Sequence, residues 1–204
     1  MKKPVIAIDV DDVLADNAKG FIEFSNKRWG TNLDVDDYSE HYDEMWQIDH
    51  MEAEQRINEF YNSGYISNYD HRSSAGSVLE KLKDNFDLLI ITSRRVGSKS
   101  ATVEWIHAKY PGIFDEQNVH FAGFFDSDDI ADHLITHTKG EISKNLGADY
   151  IIDDQLKHCI AAAEHGLQAL LFGNYPWNQV DDLPTNVQRV LDWSEVLEYF
   201  NERG

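Results

Sequence analysis

The chain has 204 residues and a single cysteine, Cys159, which rules out an internal disulfide and a cysteine metal cluster. Its apolar runs are far shorter than the roughly 20 residues of a membrane span, and 42% hydrophobic with 27% charged residues suits a globular protein. A formal net charge of −19 argues against binding a nucleic-acid polymer, and leaves any anionic substrate dependent on a metal and a few local cations.

The N-terminus, Met1-Lys2-Lys3-Pro4, leads straight into an apolar run with no signal-peptide pattern, so a cytoplasmic, membrane-free protein is expected. The first predicted strand covers Pro4–Asp9 and ends in carboxylates: Asp9, Asp11 and Asp12. About 60 residues follow, Ala15–Ser73, without a convincing strand pattern. They read as helices over Asn17–Trp29, around Asp36–Trp46 and over His50–Ser63. A structureless loop of that length is implausible inside a domain. Residues 15–73 are therefore expected to form a helical subdomain inserted into a core of residues 1–14 and 74–204. Its aromatic rings suit base stacking, but a small subdomain also needs rings for its own core. Phe21, Trp29 and Trp46 are the candidates for facing a substrate.

Beyond the insert, strands and helices alternate. Strands are predicted over Asp87–Thr92, Val119–Ala122, Tyr150–Asp153 and Gln168–Phe172, with a weaker one over Val187–Val190. Helices are predicted over Ser74–Asp84, Ser100–Tyr110, Thr138–Leu146, Gln155–His165 and Ser194–Glu202. Continuous apolar strands alternating with helices indicate an α/β fold: a parallel sheet with helices on both faces.

Ligands of such sheets bind beyond the carboxyl ends of the strands. There the first strand delivers Asp9, Asp11 and Asp12. The second delivers Thr92, Ser93, Arg94 and Arg95, and the fourth Asp153 and Asp154. Residues two apart on a strand share a face, so Asp9 and Asp11 can converge on one ion and one substrate. If a phosphoryl group is to be neutralised there, a lysine is still needed. Lys139 lies in the first turn of its crossover helix, at the carboxyl edge, whereas Lys144 is about 7 Å further down the axis. Lys139 is preferred. Arg94 and Arg95 suit a planar phosphate fork or a surface ion pair. His133 and His137 have the i, i+4 spacing of a zinc pair but no third ligand, and His158, His165 and Cys159 read as structural. Tyr175 and Trp177 follow the fifth strand in a turn and fit a cleft wall or the core equally.

The run Asp9-Val10-Asp11-Asp12-Val13-Leu14 resembles the first motif of the haloacid dehalogenase superfamily. Thr92 resembles the second, Lys139 the third and Asp153-Asp154 the fourth, in the superfamily's order. The long insert is similar to its helical cap of the first type. Within the superfamily the chain most resembles the 5′(3′)-deoxyribonucleotidase-like branch, with Asp12 in place of a common glycine. The resemblance implies a Mg²⁺-dependent phosphomonoesterase. Asp9 would be the nucleophile and Asp11 the acid and base. Thr92, Ser93, Arg94 and Lys139 would hold the phosphoryl group, and Asp9, Asp11, Asp153 and Asp154 the metal. The implied substrate is a nucleoside monophosphate, the alternative a sugar phosphate or other metabolite. A homodimer is left open. A non-catalytic phospho-acceptor of the receiver-domain kind places its acidic pair and acceptor on different strands and is much shorter. An inactive interaction protein would not retain Asp9, Asp11, Thr92, Lys139 and Asp153 together.

Overall fold

A computed structural model describes residues 2–122 and 138–203. Strands β1 (Val5–Ile8), β2 (Asp87–Thr92), β3 (Val119–Phe121), β4 (Tyr150–Asp153), β5 (Gln168–Phe172) and β6 (Val187–Val190) form one sheet in the order β3-β2-β1-β4-β5-β6. Each pairing is parallel. β1 and β4 are the central pair, and the Asp9 N–H donates to Ile152 O at 2.9 Å just beyond β1.

Helices cover both faces, which is why the strands are apolar without alternation. One core holds Ile6, Ile8, Ile90 and Ile152 against α4 (Ser73–Leu82), α5 (Lys99–Lys109) and α8 (Trp193–Asn201). The other holds Ala7, Ile91, Ile151 and Leu171 against α6 (Lys139–Asn145) and α7 (Leu156–Glu164). The predicted α/β sheet with two helical faces is the observed one. Predicted ends differ by one or two residues where a cap decides the boundary. Thr138, predicted as helical, is instead the cap of α6, its side chain accepting from the Glu141 N–H.

Between β1 and α4 the chain forms α1 (Asn17–Trp29), α2 (Tyr42–Trp46) and α3 (His50–Asn62). The predicted helix around Asp36–Trp46 is only partly formed. A 3₁₀ turn over Val35–Asp37 is closed by an Asp34–Asp37 capping box, and Tyr38 is extended before α2 begins. This segment leaves and returns at adjacent backbone: Asp16 N–H donates to Asp70 O, and Arg72 N–H to Leu14 O. Its rings pack mainly on one another. Phe21 meets Tyr38, Tyr42, Trp46 and Phe60 at centroid distances of 4.8–5.8 Å. Phe21 and Trp46 are buried, and Trp29 packs edge-on against Phe24 and Trp46. The three rings singled out for a substrate therefore serve the segment's own core.

Candidate active site

The carboxyl ends of the central strands β1 and β4 gather the acidic residues. Asp9, Asp153 and Asp154 are all buried, and an oxygen from each lies within 4.8 Å of the others. Lys139, at the first turn of α6, reaches between two of them: its Nζ is 2.8 Å from Asp9 Oδ2 and 3.0 Å from Asp153 Oδ2. Lys144 is exposed on the same helix. The turn geometry of an α-helix accounts for the difference, as five residues carry the chain down and around the axis.

α6 can place Lys139 there because Gly140 lets it approach α7. A Cβ at Gly140 would stand 2.6 Å from the backbone of Ala161 and Ala162. Real Cβ contacts essentially never come so close.

Burial sets the electrostatics of the cluster. It pushes the Asp9 carboxyl up to about 8; Lys139 opposes this, while Asp153 and Asp11 add to it. Burial, then the charges of Asp153, Asp12 and Asp9, hold Asp154 well above the usual carboxylate range. Burial presses the Lys139 ammonium down, but Asp153 and Asp9 together outweigh it and raise its pKa. Asp9 Oδ1 is buried without a hydrogen-bond partner. Ionised, the three carboxylates exceed the one ammonium by two negative charges. A buried all-oxygen donor set with an orphaned acceptor and that surplus fits a hard divalent cation.

The loop after β1 is fixed from behind by three aromatic tips. Tyr175 Oη donates to Asp12 O at 2.7 Å, Trp193 Nε1 to Val13 O at 3.0 Å, and Tyr110 Oη to Leu14 O at 2.7 Å. Asp12 itself is left-handed, with φ 56°. Its carboxylate accepts from the Ala18 N–H at 3.1 Å on both oxygens and so caps α1. Burial raises it to about 7.

Thr92 is wholly buried at the end of β2, its Oγ1 accepting from the Arg94 N–H. Ser93 is exposed at the same edge. The arginines part. Arg94 is buried and forks onto Asp11, whereas Arg95 donates to Asn58 Oδ1 of α3 at 2.6 Å and lies over Tyr61. Arg94 is thus neither a surface ion pair nor an open fork. Its alignment with Asp11 has no signal in local spacing, since the pair is 83 residues apart.

Tyr175 and Trp177 wall the site, stacked 4.6 Å apart, with Trp177 Nε1 donating to Asp154 Oδ2 at 2.6 Å. The left-handed Gly173 makes this placement available, because a Cβ there would sit 2.3 Å from the Tyr175 ring. His133 and His137 lie outside the described residues. His158 is half-buried and held neutral, burial pulling it down to about 4. Cys159 is buried, its thiol near Asp153 O and Leu170 O.

Among the described residues no helix is long and apolar enough to cross a membrane. Known proteins resemble this chain in sequence and in fold. A putative nucleotidase of Bacillus subtilis, YqfW, is 25% identical over 96% of this chain and 93% of its own. A putative 5′(3′)-deoxyribonucleotidase of Staphylococcus epidermidis is 25% identical over 98% of each chain. Among solved structures, the haloacid dehalogenase-like family hydrolase SP0104 of Streptococcus pneumoniae superposes with TM-score 0.68 at 18% identity, covering 97% of this chain and 98% of that one. Residues 3–201 match the model of the family "5′ nucleotidase, deoxy (pyrimidine), cytosolic type C protein". The chain belongs to that family and is a phosphomonoesterase of the haloacid dehalogenase superfamily.

Proposed function

We propose that the protein is a cytoplasmic Mg²⁺-dependent phosphatase of nucleoside 5′-monophosphates working through an aspartyl-phosphate. The observation that carries this is the unpartnered Asp9 Oδ1, buried beside Lys139, Asp153 and Asp154. A buried acceptor without a donor is costly, and its cost is offset when a cation or a phosphoryl group meets it.

Asp9, Asp153, Asp154 and the Asp11 carbonyl would hold the ion. When bound, Mg²⁺ reduces the repulsion that anionic phosphoryl oxygens exert on an incoming carboxylate. Asp9 attacks phosphorus in line. The ester P–O bond breaks with its electron pair going to the leaving oxygen, which takes a proton from Asp11. Asp11 then removes a proton from water as its oxygen attacks phosphorus, and the bond to Asp9 breaks to free inorganic phosphate. Thr92 and Ser93, at the end of β2, would donate to the phosphoryl oxygens, and Lys139 would balance charge on Asp9 and the phosphate. The helical segment of residues 15–73 acts as a cap that closes over the substrate and excludes water.

One observation favours a smaller polar leaving group, such as a sugar. Phe21, Trp29 and Trp46 pack on other rings of the cap and do not stand free as platforms for a base. A panel of nucleoside and sugar monophosphates, assayed for phosphate release with Mg²⁺ and after exhaustive chelation, decides between them. Faster turnover of nucleotides that stops with EDTA is expected. Faster turnover of sugar phosphates overturns the nucleotide assignment, and full activity after chelation overturns the metal. Asp9→Asn should fold and lose at least about 10³-fold in kcat, some 4 kcal/mol of barrier. More than a tenth of wild-type turnover would remove Asp9 as the nucleophile.

A further inference from the structure

Arg94 is a buried charge at the edge of the site, and a lone guanidinium there would be strongly unfavourable. Its partner is Asp11. Nε donates to both carboxylate oxygens at 3.1 Å, and Nη2 donates to Oδ1 at 2.7 Å. The guanidinium is held in turn: Nη1 reaches Thr102 Oγ1 of α5 at 3.3 Å, and the backbone N–H donates to Thr92 Oγ1. The Tyr69 and Trp105 rings lie 5.7 and 5.8 Å from its central carbon. Those rings are themselves tied, Trp105 Nε1 donating to Tyr69 O at 3.0 Å. The Asp11 side chain stays 28% exposed although Arg94 grips it.

We propose that Arg94 is a positioning residue: it sets the direction in which the Asp11 carboxyl faces the leaving oxygen, and it does not bind the phosphoryl group. A planar fork on a carboxylate fixes its plane as well as its place, which an ammonium does not. The inference rests on the reading of Asp11 as proton donor to that oxygen.

The test uses two substrates and kcat/KM, which reports steps only through departure of the leaving group. An alkyl leaving group, as in a nucleoside 5′-monophosphate, needs the proton; p-nitrophenolate departs without it. General acid catalysis contributes about 10²–10⁴-fold. Arg94→Lys should therefore lose about 10²-fold on the nucleotide and less than about 5-fold on p-nitrophenyl phosphate, with inhibition by inorganic phosphate unchanged within about 2-fold. Equal losses on both substrates, or tenfold weaker phosphate inhibition, would overturn the inference and make Arg94 a phosphate ligand or a scaffold residue. If Arg94→Lys does not fold, Thr102→Val carries the same test. It removes one support of the guanidinium and should lower the nucleotide-to-aryl ratio by about 3-fold or more; an unchanged ratio in that variant overturns the inference. Wild-type protein that hydrolyses neither substrate overturns the phosphatase mechanism itself. Wild-type activity on both with equal losses in the variants overturns Arg94 alone.

Discussion

Asp12 combines two costs that one side chain offsets. A left-handed φ costs a residue with a Cβ roughly 1 kcal/mol, and a buried carboxylate is costly without donors. The short side chain answers both by turning onto the Ala18 N–H and capping α1, with Asn17 Nδ2 donating at 3.3 Å. Asp12→Gly relieves the backbone and loses the cap, so its stability should stay within about 1 kcal/mol of wild type. Asp12→Ala keeps the strain and loses the cap, and should cost about 1 kcal/mol. Urea unfolding of the two variants checks the order. Alanine more stable than glycine would mean that the turn is not strained.

At the scale of elements, α6 and α7 touch through Gly140. Alanine is the better helix former by about 1 kcal/mol. Here its methyl would press into the Ala161–Ala162 backbone and push α6, with Lys139, off the acidic cluster. Gly140→Ala should cost about 2–3 kcal/mol in spite of its propensity and lower kcat on every phosphate ester alike. A gain in thermal stability would refute the close packing. The strands and most helices were legible because their information is local: apolar runs such as Leu88–Ile91 lie within the elements they decide. The gathering of Asp9, Lys139 and Asp153 was legible as well, since a parallel sheet carries strand-end residues to one edge. Inward packing of Phe21 and Trp46, the turn of Arg94 onto Asp11, and the tips of Tyr110, Tyr175 and Trp193 were not legible. Each pairs residues far apart in the chain, and periodicity carries no information about such partners. The break before α2 was missed for a different reason: the Asp34–Asp37 box competes with a longer helix through side-chain bonds to backbone.

For the molecule as a whole, the buried acids tie stability to pH and, through the proposed metal site, to a cation. Asp9 at about 8, Asp12 at about 7 and Asp154 well above its usual range bind protons in the native state that the unfolded chain has released. Their contribution is full below about pH 4 and is lost as pH rises toward 8. His158 has the opposite sign, its contribution being lost as pH falls from about 6.5 toward 4. Between pH 6.5 and 8, among the described residues, the carboxylates carry this dependence, so the chelated protein should lose thermal stability as pH rises. The proposed cation would bind the deprotonated cluster, so Mg²⁺ should raise Tm more at pH 8 than at pH 6.5. Thermal scans with EDTA and with Mg²⁺ at the two pH values test this. An equal Mg²⁺ increment at both would show that the ion does not compete with these protons.

The strand order has a kinetic consequence. Asp9 and Asp153 leave the two central strands, β1 and β4, which have neighbours on both sides. Their amides have no edge from which to fray, and the bond from Asp9 N–H to Ile152 O joins the two strands at the site itself. In deuterium exchange the amides of Asp9 and Ile152 should therefore open only with global unfolding, at the same free energy as the whole domain, while α2 and the turn before it exchange through local opening. Any substitution that shortens the protein's lifetime would then shorten the lifetime of the setting of Asp9, the proposed nucleophile, equally, however far from the site it lies.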